Sequence, residues 1–245
     1  MNKEQRQFRV ARYKKGQNAP TYQTFTVTVG SRTTIADALQ SIRRSQDSTL
    51  TFRHSCLHAS CGTCGMKVNG QEVLACVTNV LALATPVVVV EPMDNAPLVS
   101  DLVVDMGDFY GRLAPSGRPL LQASEFLPTA ATPNGLEQYT RFENCLECGL
   151  CVSACPVAGS DPLYLGPAAL AAAWRAWEEP RGNDRQAALR WVDSEHGCWR
   201  CHVAYECSEV CPSDVDPAGK IMALRQTLVR QKVARLFGRG TEGGD

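Results

Sequence analysis

The sequence predicts an α+β chain in two parts, a strand-rich domain over residues 1–105 followed by an all-α domain over residues 106–245. Three observations predict this. Residues 22–29 alternate, with Phe25, Val27 and Val29 on one face, as a half-buried strand does. The β-branched run at 87–90 reads as another strand. Beyond the seam no segment reads as a strand, whereas residues 168–178, 184–192 and 217–236 carry helical patterns.

Taken in order, residues 8–12 pair with 22–29 as a hairpin. Thr33 or Thr34 then caps a helix whose Ile35, Ala38, Leu39 and Ile42 form one apolar face toward the sheet. After a first group of cysteines come a strand at 66–68, an Asn69-Gly70 hairpin turn, a strand at 72–77 and the run at 87–90. The Pro- and Asn-containing stretch 91–97 leads from the last strand into a helical pattern, which puts the seam at about residue 105.

At 245 residues and 44% hydrophobic content the chain is long enough for two modest cores. Lys+Arg and Asp+Glu balance at 25 each, so nothing favours a nucleic-acid surface. The basic N-terminus (Lys3, Arg6, Arg9, Arg12, Lys14, Lys15) lacks the apolar core of a signal peptide, which argues against export. The longest nearly apolar stretch, 80–90, falls well short of the roughly 20 residues that span a bilayer. A chain kept in a reducing compartment holds its cysteines as thiolates for metals or catalysis rather than as disulfides.

Those cysteines, twelve in all, dominate the reading. The first run is Cys56-x4-Cys61-x2-Cys64 with Cys76 beyond it, the plant-type spacing for a [2Fe–2S] cluster. Gly62 and Gly65 flank Cys64 and let backbone N–H groups approach the sulfurs. Cys56-Leu57-His58 invites a mixed His/Cys cluster, but the second Cys-x-x-His that such a site needs is absent, since Val77, Thr78 and Asn79 follow Cys76. His54 and His58 are therefore expected to face solvent or to support the ligands from behind. Structural zinc prefers paired Cys-x2-4-Cys knuckles, which this run lacks.

The second run, Cys145-x2-Cys148-x2-Cys151-x3-Cys155-Pro156, has the bacterial ferredoxin spacing; the third is Cys201-x5-Cys207-x3-Cys211-Pro212. The two recur after roughly 55 residues, like the pseudo-repeat of two-cluster ferredoxins. In such pairs the cysteine before proline ligates the other run's cluster. Crossing the ligands gives Cys145, Cys148, Cys151 and Cys211 for a [4Fe–4S] cluster. The other set is Cys155, Cys201 and Cys207. A complete third run would carry cysteine where the chain has Ala204, so this set lacks one corner and suits a [3Fe–4S] cluster. Cys198 is left over and reads as a buried spare thiol. A zinc ribbon pairing Cys145 and Cys148 with Cys198 and Cys201 would leave Cys151, Cys155, Cys207 and Cys211 unexplained.

A plant-type ferredoxin (β-grasp) domain followed by a bacterial-ferredoxin-like two-cluster domain with one ligand missing resembles the iron–sulfur subunit of succinate dehydrogenase and fumarate reductase. The resemblance spans nearly the whole chain. It includes Leu50-Thr51-Phe52-Arg53-His54-Ser55-Cys56, Cys61-Gly62-Thr63-Cys64-Gly65, Asp101-Leu102-Val103-Val104-Asp105-Met106, and Cys207-Ser208-Glu209-Val210-Cys211-Pro212 with Val215-Asp216-Pro217. It implies an FAD-containing flavoprotein partner and a membrane anchor that binds quinone, the anchor's haem b content being left open. Electrons would pass from flavin through the [2Fe–2S], [4Fe–4S] and [3Fe–4S] clusters to quinone, at the cytoplasmic face of the inner (plasma) membrane, in the tricarboxylic acid cycle. The chain has no Gly-x-Gly-x-x-Gly fingerprint and no acid–base or nucleophile set, as suits a subunit that conducts.

The resemblance also places quinone near the third cysteine set, with His202 matching a family histidine and Pro156 beside it as candidate contacts. Ser160 stands where ubiquinone-reducing relatives carry tryptophan, and Tyr164-Leu165-Gly166-Pro167 looks more like the menaquinone-linked and fumarate reductase branch. Trp199 is a further candidate for the same pocket. The basic segment with Lys220, Arg225, Arg230, Lys232, Arg235 and Arg239 reads as a solvated helix face, with anionic headgroups as the sharper alternative. Fumarate reduction by quinol and a soluble flavoprotein dehydrogenase are the competing functional readings.

Overall fold

A computed structural model describes residues 3–113, 145–178 and 185–237, and its contacts separate into two compact units interleaved along the chain. The first takes the described residues of Met1–Phe109, Cys145–Ala154 and Val210–Ser213; the second takes those of Tyr110–Asn144, Cys155–Glu209 and Asp214–Asp245.

In the first unit, strands β1 (Glu4–Arg12) and β2 (Thr21–Val29) form an antiparallel hairpin with Phe8 opposite Phe25. Helix α1 (Ile35–Ser45) starts at Thr34 rather than Thr33. The Thr34 hydroxyl accepts from the Asp37 N–H at 3.2 Å while the Asp37 carboxylate accepts from the Thr34 N–H at 3.0 Å, a capping box of the kind that stabilises a helix by about 1 kcal/mol. Ile35, Ala38, Leu39 and Ile42 are buried on one face, as their spacing predicts. Strands β3 (Gly65–Val68), β4 (Gln71–Leu74) and β5 (Val87–Glu91) complete a five-stranded sheet in the order β2-β1-β5-β3-β4, with β1 and β5 parallel. Asn69 and Gly70 both have positive φ, 51° and 80°, as the tight turn between β3 and β4 requires.

Two expectations need correction here. The strand expected over 72–77 ends at Leu74, because the Leu74 carbonyl takes the N–H groups of both Val77 and Thr78 and curls the chain into a turn that carries Cys76. The stretch after residue 97 is not helical at once: β6 (Leu98–Ser100) and β7 (Val103–Val104) form a small antiparallel ribbon before α2 (Gly107–Leu113). Asp101 sits in that ribbon's turn, 3% exposed, with φ 43°. Its carboxylate accepts from Arg12 Nε and the Tyr13 N–H at 3.0 Å and from the Thr51 N–H at 2.8 Å. One buried acid thus ties the end of β1 to the segment that enters the first cysteine run. A short helix, α3 (Leu150–Ser153), also belongs to this unit, with Leu150 in its core.

Helices fill the second unit: α4 (Pro156–Ser160), α5 (Pro167–Glu178), α6 (Arg185–Val192), α7 (Glu206–Glu209) and α8 (Pro217–Leu236). Asp184, expected to open α6, and Arg239 lie outside the described residues. Helix α5 is nearly apolar all round and is correspondingly buried, its alanines letting α6 and α8 pack closely. Leu170, Ala173 and Ala176 meet Leu189 and Val192 of α6 and Ile221, Leu224 and Leu228 of α8. Asp216 caps α8, accepting from the Gly219 N–H at 3.1 Å and from Ser208 Oγ at 2.7 Å, while Pro217 occupies the first turn. Among the described residues no helix is long and apolar enough to cross a membrane.

Candidate iron–sulfur sites

The first cysteine run wraps as a loop whose backbone turns left-handed at Leu57 (φ 62°), Ala59 (φ 56°) and Gly62 (φ 68°). Non-glycine residues adopt that conformation at a cost, and here it aims successive N–H groups at sulfur. Ser60 N–H donates to Cys56 Sγ at 3.3 Å, His58 N–H approaches it at 3.5 Å, and Ala59 N–H donates to Cys76 Sγ at 3.3 Å. These donors favour thiolate: the His58 and Ser60 N–H groups bring the Cys56 thiol down to about 7, and Thr63 and the Cys56 N–H lower Cys61. Cys64 is the opposite case, pushed up to about 12 by burial and by the nearby sulfur of Cys76. The four sulfurs converge, with Cys61 exposed and Cys64 and Cys76 buried. A buried thiol beside polarised thiolates is a donor set that a cationic iron pair would suit. His58 folds back, its Nδ1 at 2.5 Å from the Cys56 carbonyl, and His54 packs on the Phe52 ring.

Gly62 and Gly65 serve chiefly as seats. A Cβ on Gly62 would meet the Leu146 carbonyl at 2.6 Å and Cys148 Cβ at 2.7 Å; one on Gly65 would meet Leu150 at 3.1 Å. The second cysteine run therefore lies directly against the first. It turns through Glu147 (φ 51°) and Gly149 (φ 82°) into α3. Burial pushes the Cys148 thiol up to about 11, and the charges it feels are those of Cys145 and Cys211, so the far cysteine joins the near run. Cys145, Cys148, Cys151 and Cys211 all belong to the first unit.

Cys155, Cys201 and Cys207 belong to the second unit and line one cavity, together with Pro156, Tyr164, His202, Ala204 and Ile221. Burial pushes Cys207 up to about 12, with Cys155 and Cys201 adding to the shift, and burial also raises Cys155, with Cys201 adding to it. The lining loop repeats the first site's device: Val203 (φ 61°) and Tyr205 (φ 64°) flank Ala204, and the Val203 N–H donates to Cys201 Sγ at 3.3 Å. Arg225 of α8 holds the loop's entrance, donating to the carbonyls of Cys198 (2.8 Å), Trp199 (3.1 Å) and Cys201 (2.5 Å). Tyr164 is fully buried, and its hydroxyl finds no hydrogen-bond partner among the described residues. An orphaned hydroxyl amid three thiols marks a space built for a group that accepts hydrogen bonds, as cluster sulfur does.

His202 and Pro156 line this cavity from exposed positions. Ser160 and Trp199 are turned elsewhere: Ser160 Oγ donates to the Val157 carbonyl at 3.1 Å, and Trp199 Nε1 donates to Asp193 at 2.6 Å with Lys232 over its ring. Cys198 is completely buried in the helical core, its thiol pushed up to about 11 by burial. Sequence reasoning missed Tyr164, the Arg225 clamp and the left-handed residues. Positive φ at leucine or valine leaves no mark in a sequence, and an arginine on a basic helix gives no sign that it turns inward.

With this geometry in view, the comparisons are specific. A family described as a 2Fe-2S iron-sulfur cluster binding domain matches residues 7–111, and a 4Fe-4S dicluster domain matches residues 141–215. The fumarate reductase iron-sulfur subunit of Mycobacterium tuberculosis is 39% identical over 93% of this chain and 94% of its own length. That of Haemophilus influenzae is 37% identical over 82% and 84%. The mitochondrial succinate dehydrogenase [ubiquinone] iron-sulfur subunit 1 of Oryza sativa is 31% identical over 78% and 70%. A chain of the Mycobacterium smegmatis Sdh1 complex in the apo form shares the fold, with TM-score 0.85, 20% identity, and 95% and 98% of the two chains covered. Two cluster-binding domains in this order, and relatives matched almost end to end, mean that the chain belongs to the family of iron–sulfur subunits of fumarate reductase and succinate dehydrogenase.

Proposed function

We infer that this chain is the electron-transfer subunit of a succinate:quinone oxidoreductase, joined to a flavoprotein on one side and a quinone-binding membrane anchor on the other. The observation that carries it is the division of the cysteines: eight (Cys56, Cys61, Cys64, Cys76, Cys145, Cys148, Cys151 and Cys211) lie in the first unit, and three (Cys155, Cys201 and Cys207) line one cavity in the second.

This division follows the crossed ligand sets rather than the order of the sequence.

When bound, the [2Fe–2S], [4Fe–4S] and [3Fe–4S] clusters would each take up and release single electrons between flavin and quinone. The chain's own residues set the terms of that transfer. Backbone N–H groups of Ala59, Ser60 and Val203 donate to the ligating sulfurs and favour their anionic form. Gly62 brings the first two sulfur sets close by removing a side chain between them. Ala204 offers no ligand at the third site, leaving three thiols where a cubane needs four. His202 and Pro156, exposed at the rim of the cavity, are the residues we assign to quinone, and Tyr164-Leu165-Gly166-Pro167 favours menaquinone.

A second reading, quinol:fumarate reductase, is favoured by the names of the relatives from M. tuberculosis and H. influenzae. The native complex, purified through a tag on this chain, separates the two. Succinate-dependent menaquinone reduction faster than menaquinol-dependent fumarate reduction supports the first reading, and the reverse ratio supports the second. A preparation containing flavoprotein but no membrane subunit, and active without quinone, would overturn both.

A further inference from the structure

The Tyr164 hydroxyl is a buried polar group left without a partner at the third cysteine set. The side chain is 0% exposed, and the hydroxyl has no hydrogen-bond partner among the described residues. Burying an unpaired hydroxyl is costly, and a phenylalanine would fill the same space without that cost. The ring lines the cavity that also holds Cys155, Cys201, Cys207 and Ala204. Its neighbours in that cavity include those three thiols, and at neutral pH a tyrosine hydroxyl keeps its proton and remains a donor. The backbone around it is fixed: the Tyr164 N–H donates to the Asp161 carbonyl at 3.1 Å, and its own carbonyl accepts from Arg112 at 3.0 Å.

We propose that Tyr164 is a positioning residue for the third cluster, donating its hydroxyl hydrogen bond to sulfur at the Cys155–Cys201–Cys207 site and raising that site's reduction potential. The inference rests on the reading of this cavity as a cluster site. Reduction adds one electron to the cluster and oxidation by quinone removes it; Tyr164 itself is neither oxidised nor deprotonated. The reduced cluster carries the greater negative charge on sulfur, so a donor stabilises it more than the oxidised form. The effect is a higher potential at the last station before quinone.

The test is a potentiometric EPR titration of the native complex and of Tyr164→Phe, which keeps the ring and removes only the hydroxyl. At a fixed ambient potential the variant's reduced-to-oxidised ratio at the [3Fe–4S] site should fall about tenfold, equivalent to about 59 mV for a one-electron couple, while the [2Fe–2S] midpoint stays in place. Deuterium ENDOR of the oxidised cluster after exchange into D2O should show a coupled deuteron that Tyr164→Phe loses. An unchanged midpoint and an unchanged ENDOR spectrum, with the [3Fe–4S] signal present in both proteins, overturn the proposal alone. Absence of any [3Fe–4S] signal in the wild-type complex overturns it together with the cluster reading.

Discussion

Gly62 of the first cysteine loop and Cys148 of the second run pack so closely that a single methyl group on Gly62 would stand 2.7 Å from the Cys148 Cβ and 2.6 Å from the Leu146 carbonyl. Gly62 also has φ 68°, so alanine there meets backbone strain as well as a clash. Gly62→Ala is expected to cost on the order of 1–3 kcal/mol and to push the two loops apart. Chemical denaturation of the intact complex reads the first effect, and the rate of electron arrival at the second site after rapid mixing with succinate reads the second. A variant with wild-type stability and rate would show that the contact is slack.

Asp101 tests the frame behind the first site. Its buried carboxylate serves Arg12, Tyr13 and Thr51 at once, so Asp101→Ala removes one of the two carboxylates that hold the Arg12 guanidinium, the other being Asp47 at 2.6 Å, and takes the acceptor from the Tyr13 and Thr51 N–H groups. The expected loss is about 3 kcal/mol, accompanied by weaker retention of iron at the first site. Thermal unfolding followed together with the visible absorption of the cluster measures both; stability within about 0.5 kcal/mol of wild type would refute the assignment.

A pH dependence follows from Asp161. Its carboxyl is held below the usual carboxylate range, first by the hydrogen bond with His196 at 3.1 Å and then by the Leu163 N–H at 2.9 Å and the charge of Arg200. Because the folded value is lower than the unfolded one, the stability this group contributes is complete above about pH 4 and is lost as pH falls through the folded value. The stability gap between wild type and Asp161→Asn should therefore close as pH falls below about 4. A gap that widens on acidification has the wrong sign for this account.

On the proposed reading, Ala204 is the position where a fourth thiol would complete the third site. Ala204→Cys is expected to convert the cluster from [3Fe–4S] to [4Fe–4S], removing the oxidised-state EPR signal and lowering the site's potential, with quinone reduction slowed roughly tenfold or more. Iron analysis should rise by about one atom per chain. Retention of an unaltered [3Fe–4S] signal would mean that position 204 does not face the open corner.

Much of this was legible because cysteine spacing and helical periodicity are local. The Asn69-Gly70 turn and the apolar face of α1 form where their patterns place them, and α8 spans the residues expected to be helical. The strand over 72–77 was overextended because Val77 looks like strand but is exposed in a turn, its N–H taken by Leu74. The β6–β7 ribbon was missed because it is held by the long-range bonds of Asp101, which no window of sequence contains. At the sites the thiols themselves could be read, whereas the left-handed Leu57, Ala59, Val203 and Tyr205 and the orphaned hydroxyl of Tyr164 arise only from the way distant segments close on one another.

The most direct measurement of the central claim is low-temperature EPR of the native membrane complex, first oxidised, then with succinate, then with dithionite. The account predicts an oxidised [3Fe–4S] signal that succinate removes while a reduced [2Fe–2S] signal appears. Cluster signals that respond only to dithionite would contradict the succinate-linked path, and a complex with no cluster signals would contradict the assignment of the cysteines altogether.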